Sequence, residues 1–386
     1  MGSIKRQREG LAKNQSNNAL ERIQSFVILE RKRFIEVMKI TVAIACYNLE
    51  DRIATCLESV ISQDYNDMEI LVIDDCSTDH SVEVINTMIA KHPERDFHFI
   101  VNETNLGLCQ VRNISIEEAQ GEAIYFIDGD DTIEMGTISL FHRRMVETGV
   151  EVVCGSFRKV DSNGNPYIIK QFPDDTIKGV FAYSSYIEKN IKDFFWLPIW
   201  NNLYRLEFLK THNIRCATHY RKHEGSLFTF KVVINAQSVS YIHAITYNWN
   251  DVPTSITNGI KRNSNYLEDF RAVIESVVDA KNAFESCHKN QQLPRGARFV
   301  LNYIILTQGL LRLGLQSENI SRKEKKQFLK WLKKFYHAND MNWSNIVGQF
   351  NRLSYLILIS PFPYSLFCFY FRHLKTITSM LKKVFV

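Results

Sequence analysis

Three aspartates crowd the end of a short apolar run. The stretch FIDGDDT, residues 126–132, places Asp128, Asp130 and Asp131 directly after the run AIYF. Carboxylates at the end of a buried strand repel one another and lose hydration, so the cluster is most stable with a cation among them. A single Asp in this position would more simply cap the helix that follows. Three of them favour a divalent cation site.

Four sets of polar residues each follow a predicted strand. Because the carboxyl ends of parallel strands meet at one edge of a sheet, the four sets predict a single site at that edge. A polar and anionic ligand, with a metal between it and the carboxylates, suits this composition, and a nucleoside diphosphate is such a ligand. The sets are Tyr47 and Asn48, then Asp74 and Asp75, then Asn105, Gly107, Arg112 and Asn113, and last the Asp128 cluster.

Alternating strands and helices position these residues. The alternation predicts an α/β fold with a doubly wound, mostly parallel, Rossmann-like sheet whose folded region begins near Met38. Strands are predicted over 40–46, 69–74, 97–101 and the run AIYFID. Helices are predicted over about 50–62, after the caps Ser77, Thr78 and Asp79, and near 107–119.

Composition and charge exclude several classes of protein. The net charge of +5 is too small, and its basic residues too concentrated late in the chain, for a nucleic-acid-binding face. The eight cysteines form no CxxC pair and have no histidines at zinc spacing, which argues against a zinc site or a disulfide framework and favours a reducing cytosolic compartment. Residues 1–37 form a polar tail without the apolar core of a secretory signal.

Four segments of the first half carry a family resemblance. In order, TVAIACYN, EILVIDDCSTD, NLGLCQVRN and GEAIYFIDGDD resemble the nucleotide-binding half of the family 2 glycosyltransferases, which have the GT-A fold. The resemblance implies a nucleotide-sugar-binding half at 38–140, an acceptor-binding half at 141–260 and a basic, helical C-terminal extension at 261–386. It also implies transfer of a sugar from a nucleotide-sugar donor, most commonly a UDP-sugar, with inversion of the anomeric centre, in surface polysaccharide synthesis.

The resemblance assigns roles to the residues at the predicted edge. Its DxD element is Asp128, Gly129 and Asp130, in which Asp130 ligates a Mn²⁺ or Mg²⁺ ion that bridges the donor diphosphate, and Asp128 lies near the ribose or a metal-bound water. Such an ion stabilises charge developing on the diphosphate as the sugar bond breaks. Asp74 or Asp75 is expected to bind the base, with Tyr47 packed near it. The whole predicted donor-binding set is Ala45, Tyr47, Asn48, Asp74, Asp75, Asn105, Gly107, Arg112, Asp128, Gly129 and Asp130, with Asp128 and Asp130 as the metal ligands.

The acceptor-binding half is predicted from a second, weaker motif. A strand over 151–157 and a hairpin around SNGNP precede WLPIWNNLYRLEF, in which Trp200, Asn201, Leu203, Tyr204 and Arg205 resemble the WNKLYR segment of the same family. Aromatic faces suit sugar rings, so Trp200 is expected to form a wall of the acceptor site. A place in the core is the alternative for Trp200. The segment SVSYIHAITYNWN is expected to form two short strands.

The catalytic base is where the chain departs from the family pattern. Family members usually carry a Glu-Asp pair at the start of a helix, and here KHEGSLFTFKVVINA places Gly225 where that Asp would be. Glu224 is the expected base, His223 is an acceptor-binding residue and a weaker candidate base, and a purely capping role for Glu224 is the alternative. The missing Asp also leaves open a catalytically silent relative that binds nucleotide or glycan.

The C-terminal extension predicts contact with a membrane surface. The segment RKEKKQFLKWLKKFY has a basic amphipathic pattern, which suits an anionic membrane surface or a solvated face. The uncharged stretch 353–371 is interrupted by Pro361 and Pro363, so it predicts two short apolar helices and not a span. Peripheral attachment to the cytoplasmic face of the membrane would suit an acceptor that is a glycan or a lipid-linked saccharide.

Two other enzyme classes share parts of the pattern. FIDGDDT also matches hhhDxDxT, the motif of haloacid-dehalogenase-type phosphatases, in which Asp128 is phosphorylated and Asp130 acts as acid or base. Those enzymes need a second acidic pair after a later strand, whereas Asp74 and Asp75 come earlier in the chain. EILVIDD resembles a receiver domain, but a receiver carries its acidic pair after the first strand, and here the pair follows the second. Sugar transfer is therefore the stronger prediction.

Overall fold

A computed structural model of the 386-residue chain describes residues 38–190, 198–218, 225–251, 264–288, 292–305 and 320–338. The predicted polar tail and the uncharged stretch 353–371 lie outside these residues. No helix among the described residues is both long enough and apolar enough to cross a bilayer.

The first four strands form the parallel sheet that the sequence predicts. The elements are β1 (Ile40–Cys46), α1 (Ile53–Ile61), β2 (Met68–Asp74), α2 (Ser81–Lys91), β3 (Asp96–Val101), α3 (Leu108–Glu118) and β4 (Ala123–Asp128). Strand β1 pairs in parallel with β2 on one side and with β4 on the other, and β3 pairs in parallel with β2. The apolar residues of β1, β2 and β4 suit strands that are covered on both faces, whereas the edge strand β3 is partly exposed.

Of the predicted caps of α2, Asp79 does bond to the helix start, because its Oδ1 accepts a hydrogen bond of 3.0 Å from the backbone N–H of Ser81. The helix begins at Ser81, preceded by His80, whose side chain makes no capping hydrogen bond. The side chains of Ser77 and Asp79 also accept hydrogen bonds from the backbone N–H groups of Asn48 and Glu50 in the loop after β1. Polar side chains at a helix start therefore tie two loops together, which a local pattern does not reveal.

The second half extends the same sheet with mixed strand directions. Its elements are β5 (Thr132–Ile133), α4 (Thr137–Thr148), β6 (Val152–Val160), β7 (Pro166–Lys170), β8 (Asp175–Lys178), α5 (Ala182–Lys189), β9 (Asn202–Arg205), α6 (Leu206–Thr211), α7 (Gly225–Asn235) and β10 (Ser238–Asn250). The strand order is β3-β2-β1-β4-β9-β6-β10-β5, with β7 paired to β6 and β8 to β10. Strand β9 runs antiparallel to both β4 and β6, whereas β10 runs parallel to β6, so β4, β6 and β10 end at the same edge.

Two local predictions for this half have different outcomes. The hairpin around SNGNP forms between β6 and β7, and Gly164 adopts the positive φ of 83° that its turn requires. The segment SVSYIHAITYNWN was expected to form two strands, but it is the single strand β10. Its register against β6 shifts between Ile242 and Ile245 and again before Tyr247, so an irregularity takes the place of a break.

The helical extension completes the core. It contains α8 (Ser264–Cys287), α9 (Arg295–Asn302) and α10 (Arg322–Ala338). The apolar face of the basic helix α10 is buried, with Phe328 packed near Phe270 of α8 and the guanidinium of Arg271 lying 4.9 Å from the ring of Trp331. The helix therefore uses its apolar face to fold against α8, a partner that its own sequence does not indicate.

Candidate active site at the carboxyl edge of the sheet

Three neighbouring strands deliver the predicted acids to one edge. In the register of the sheet, Cys46 of β1 lies beside Asp74 of β2, and Ala45 of β1 lies beside Asp128 of β4. Asp75 is the first residue after β2 and Asp130 the second residue after β4, and these two strands lie on the two sides of β1. The structure thus brings the two acidic loops together at one edge.

The loop after β1 is clasped to the loop after β2. Asn48 has a positive φ of 52°, and its Oδ1 accepts a hydrogen bond of 2.8 Å from the backbone N–H of Thr78. Asn tolerates the left-handed region better than most residues, which explains its presence at this turn. Tyr47 is 45% exposed beside this clasp. Its ring is therefore available to a planar group at the edge.

The acidic pair after β2 is buried and hydrogen-bonded to protein donors. Asp74 is fully buried and accepts hydrogen bonds from the N–H and the hydroxyl of Ser77, 2.9 and 2.5 Å long. The carboxylate of Asp75 accepts from Asn102 Nδ2 at 2.8 Å and from the backbone N–H groups of Leu106 and Gly107 at 2.9 and 2.7 Å. These bonds make Asp75 the support of the loop 102–107.

The predicted Asn105 and Gly107 belong to that supported loop. Asn105 Nδ2 donates to the backbone oxygen of Asp75 at 3.2 Å. Gly107 precedes α3 with a positive φ of 86°, a conformation that an L side chain rarely adopts. Both residues therefore shape the loop through its backbone. That Asn105 and Gly107 contact the nucleotide-sugar donor remains a prediction.

The DxD loop is pressed against the end of β1. The backbone N–H of Gly129 donates to the backbone oxygen of Ala45 at 3.0 Å, and a Cβ on Gly129 would lie 2.6 Å from that oxygen. Only glycine fits such an approach, which explains Gly129 and the place of Ala45 beside it. Arg112 of α3 is buried and donates to Asp128 Oδ1 at 2.7 Å. This ion pair fixes the first acid of the motif.

The negative charge of Asp130 is destabilised by its surroundings. Burial, followed by repulsion from the neighbouring Asp128 carboxylate, raises the pKa of Asp130 to about 6, and the positive charge of Arg52 acts in the opposite direction. A cation beside Asp130 would replace lost hydration and relieve the repulsion. The electrostatics of Asp128 and Asp130 therefore favour a bound cation, as the sequence predicted.

The third acid of the cluster, Asp131, is hydrogen-bonded to donors of the protein itself. Asp131 is buried, and its two carboxylate oxygens accept hydrogen bonds from the Tyr247 hydroxyl at 2.6 Å and the Asn250 N–H at 2.8 Å. Burial and the charges of Asp130 and Asp128 raise the pKa of Asp131 well above its usual range. Tyr247 and Asn250 were not among the sequence-predicted site residues, and the acid in excess of the DxD motif was the only signal for them.

The donor set fits Mg²⁺ or Mn²⁺ held jointly with a ligand. Across the described residues, no group of three His, Cys, Asp or Glu side chains is arranged to hold a metal alone. Mg²⁺ is commonly bound by one or two carboxylates together with substrate phosphates and water. Asp128 and Asp130 supply such a pair, so the residues present fit a cation whose other ligands come from a diphosphate and water.

Trp200 lies in the core and not on a sugar-binding wall. It is 4% exposed, and its ring is stacked on Tyr247 with a centroid distance of 4.4 Å. Phe157 and Trp249 contact it edge to face at 5.0 and 5.6 Å. The structure therefore places Trp200 in the core, which was the alternative to the sugar-binding wall. Its neighbour Asn201, with a positive φ of 58°, also serves the fold.

The two predicted residues nearest the missing Asp, His223 and Glu224, lie outside the described residues. Helix α7 is described from Gly225 onward. A Cβ on Gly225 would meet Ile199 Cδ1 at 3.4 Å, an ordinary van der Waals contact. The position that carries Asp in the family therefore has room for a Cβ atom.

Comparison with known sequences gives the same family along half of the chain. A family model described as glycosyl transferase family 2 matches residues 41–233 of the 386. Putative glycosyltransferase EpsH of Bacillus subtilis (strain 168) is 26% identical over 68% of this chain and 80% of its own length. Glycosyltransferase GlyA of Streptococcus pneumoniae serotype 4 is 25% identical over 54% of this chain, which spans 30% of that protein.

A solved structure shares the fold. The crystal structure of Staphylococcus aureus TarS 1–349 in complex with UDP-GlcNAc superposes with a TM-score of 0.61 at 22% identity, covering 78% of this chain and 81% of that one. TarS of strain Mu50 / ATCC 700699 is named a poly(ribitol-phosphate) beta-N-acetylglucosaminyltransferase; it is 27% identical over 67% of this chain and 43% of its own length. The structural likeness confirms the predicted GT-A fold.

Proposed function

Because this chain belongs to glycosyl transferase family 2, we propose that it transfers a sugar from a UDP-linked donor to a hydroxyl of a glycan or lipid-linked saccharide. The observation that carries the proposal is the convergence of Asp128, Asp130 and Arg112 at the edge that also presents Tyr47. The named functions of the relatives support a role in surface polysaccharide synthesis. As in the family, the transfer inverts the anomeric centre.

Each residue of the edge has a task in donor binding. A divalent cation, when bound, neutralises the diphosphate and stabilises the negative charge that develops on it. Asp130 and Asp128 hold that cation, and Arg112 keeps Asp128 oriented through its 2.7 Å bond. Tyr47 packs against the base. Asp75 serves the base indirectly, because its carboxylate already holds the loop 102–107 in place.

The donor site is tested by nucleotide release. The protein is incubated with a panel of nucleotide sugars and an acceptor extract in Mn²⁺, Mg²⁺ or EDTA, and nucleoside diphosphate is measured. We expect release from a UDP-sugar with a divalent cation, and Asp130→Asn to lower it about 100- to 1,000-fold because charge stabilisation is lost.

The matched control is Asp96→Asn, which neutralises an exposed acid at the start of β3, at the opposite edge of the sheet. It should keep the parental rate. Equal release by the parent protein and Asp130→Asn would contradict the metal-binding role of Asp130.

The base is proposed to be Glu224, which would accept the proton of the acceptor hydroxyl. Glu224→Gln should then lower transfer strongly while leaving UDP binding unchanged. Full turnover by this variant would place the base elsewhere.

A silent relative is the second candidate function, and Gly225 is the observation that favours it. Gly225→Asp restores the family residue at a position with room for its Cβ. Transfer by Gly225→Asp alone, with none by the parent protein or by Gly225→Asn, would support the silent relative. Transfer by the parent protein would exclude it.

Membrane contact is proposed to be electrostatic. The apolar face of α10 is buried, so its exposed lysines, among them Lys323, Lys330 and Lys334, are available to an anionic surface on the cytoplasmic side. Each lysine near such a surface contributes about 1 kcal/mol. Changing all three to Gln should weaken cosedimentation with phosphatidylserine vesicles about 100-fold. High salt should have the same effect on the parent protein. Binding that neither change weakens would exclude α10 as the contact.

A further inference from the structure

We infer that Asp131 and Tyr247 are positioning residues, which hold the DxD loop so that Asp128 and Asp130 can bind one cation together. The inference rests on the proposed metal-dependent function and assigns a task to the acid that this function leaves unused.

Each of the two carboxylate oxygens of Asp131 accepts a hydrogen bond from a protein donor. Oδ2 accepts from the Tyr247 hydroxyl at 2.6 Å and Oδ1 accepts from the Asn250 N–H at 2.8 Å. The backbone N–H of Asp131 donates to the backbone oxygen of Asp128 at 3.0 Å, which closes a tight turn over the motif. A buried acid that accepts hydrogen bonds from two protein donors fixes the position of its loop, and in this sense it acts as a bracket.

Tyr247 connects that bracket to the first acid of the motif. Its hydroxyl donates to Asp131 and also accepts from the backbone N–H of Asp128 at 3.2 Å. The ring is fully buried and stacked on Trp200, so the hydroxyl has little freedom to move. One hydroxyl therefore fixes the beginning and the end of the four-residue loop.

The end of β10 holds the remaining acid by its backbone. Asn250 Nδ2 donates to the backbone oxygen of Asp130 at 2.9 Å, while its N–H holds Asp131. Strand β10 thus holds each of the three acids: Asp128 and Asp130 through the backbone, Asp131 through the side chain. The carboxylates of Asp128 and Asp130 take no part in these bonds from β10.

Such a brace is needed because the metal-binding pair repels itself. Asp128 and Asp130 are separated by a single residue, so their negative charges repel each other, and a loose loop would let the two side chains move apart before a cation arrives. A cation site needs ligands held close to their bound geometry by supporting hydrogen bonds.

A direct metal-ligand role for Asp131 makes the opposite prediction. If Asp131 were a ligand, loss of the Tyr247 hydroxyl would free one of its oxygens and leave metal binding unchanged or stronger. If Asp131 is a bracket, the same loss weakens metal binding, although Tyr247 itself carries no ligand for the cation.

The test uses the full chain and measures UDP binding by calorimetry with and without Mn²⁺. Tyr247→Phe keeps the ring and removes only the hydroxyl. We expect it to raise the Mn²⁺ concentration needed for half-maximal UDP binding about 10-fold, the usual effect of losing a supporting bond. Metal-free UDP binding should stay unchanged.

Tyr125→Phe is the matched control, since that hydroxyl is equally buried in the same sheet but donates to Asn201 at 2.9 Å. It should leave the Mn²⁺ requirement unchanged. Asp131→Asn offers one acceptor oxygen for two donors. We therefore expect it to raise the Mn²⁺ concentration needed for half-maximal UDP binding about 10- to 100-fold. The double variant with Tyr247→Phe should be no worse than Asp131→Asn alone, because both changes remove one brace.

The outcomes separate the inference from the proposed function. A Mn²⁺ requirement in Tyr247→Phe that equals or falls below the parental one overturns the positioning role alone. An equal increase in Tyr125→Phe also overturns it, because any buried hydroxyl would then matter. If UDP binding by the parent protein does not depend on Mn²⁺, both the proposed metal site and this inference are wrong.

Discussion

The loops after β2 and β4 both carry aspartates at the same edge of the sheet, yet the surroundings of these aspartates differ. In the first loop, Asp75 is 3% exposed and accepts hydrogen bonds from Asn102, Leu106 and Gly107. In the second loop, Asp130 lies beside another carboxylate, and its pKa is raised to about 6. Asp75 is bonded to protein donors, whereas Asp130 is the proposed cation ligand.

The difference shows that the supply of donors decides what an acid does. Backbone N–H groups around a carboxylate stabilise its charge and turn it into a scaffold. A neighbouring carboxylate does the reverse and prepares a place for a metal ion. Asp131 resembles Asp75 in its hydrogen bonds, since Tyr247 and Asn250 supply its donors, although burial and the two neighbouring acids raise its pKa. The contrast is thus between scaffold and ligand, even within one motif.

The largest expected effect is the loss of stability in Asp75→Ala. The change removes a buried carboxylate and leaves three donors without their acceptor, which should lower the free energy of unfolding by about 3 kcal/mol. Urea denaturation of the metal-free protein measures it. Asp130→Ala, the matched change in the other loop, should cost no stability under the same conditions. Equal losses from the two variants would remove the distinction between scaffold and ligand.

The next effect concerns the backbone that presents the ligands. Gly129→Ala brings a Cβ within 2.6 Å of the Ala45 backbone oxygen, so the loop must shift, at a cost of about 1–3 kcal/mol. The shift should also weaken Mn²⁺-dependent UDP binding. Gly225→Ala is the control, since its Cβ meets only an ordinary contact and Ala favours a helix. If Gly129→Ala bound UDP and Mn²⁺ like the parent protein, the close approach to β1 would not matter for the site.

The fold of the first half could be predicted because its signals are local. Strand β1 has the predicted bounds 40–46, and the apolar period of each following segment places its element within a few residues. The chain order of strand and helix then fixes a parallel sheet, and with it the edge where Asp75 and Asp130 meet. No long-range information was needed for that step.

The remaining features depend on partners far along the chain. Asp131 and Tyr247 are 116 residues apart, so no local pattern links the acid to its donor. Trp200 could fit a sugar-binding wall or the core, and only the packing of Tyr247 and Phe157 around it decides between them. The basic face of α10 was visible, but the helix that covers its apolar face was not. Sequence therefore predicted which residues reach the edge, but not which ones are used there as supports.

The pH dependence of metal binding sharpens the comparison further. Proton and cation compete for Asp130, so below its pKa of about 6 the affinity for Mn²⁺ in the presence of UDP should fall about tenfold per pH unit. Above about pH 7 the affinity should level off. Titrations between pH 5 and pH 8, in buffers that do not bind Mn²⁺, measure this. An affinity that stays constant down to pH 5 would mean that Asp130 is already ionised there.

The smallest expected effect is the pH dependence of stability in the metal-free protein. Folding raises the pKa of Asp130 from its ordinary value near 3.8 to about 6, so the folded state holds the proton more tightly than the unfolded state. Stability is therefore lost as pH rises from about 4 to about 6, and Asp130→Asn, which cannot ionise, should escape that loss. We expect the variant to match the parent protein near pH 4 and to exceed it at pH 7 by about 1 kcal/mol, after allowance for solvent at a partly exposed group. Asp96→Asn removes an exposed acid and serves as the control, which should show no such divergence. If the parent protein were as stable as Asp130→Asn at pH 7, the ionised Asp130 would not destabilise the folded state. The two loops would then differ in shape alone.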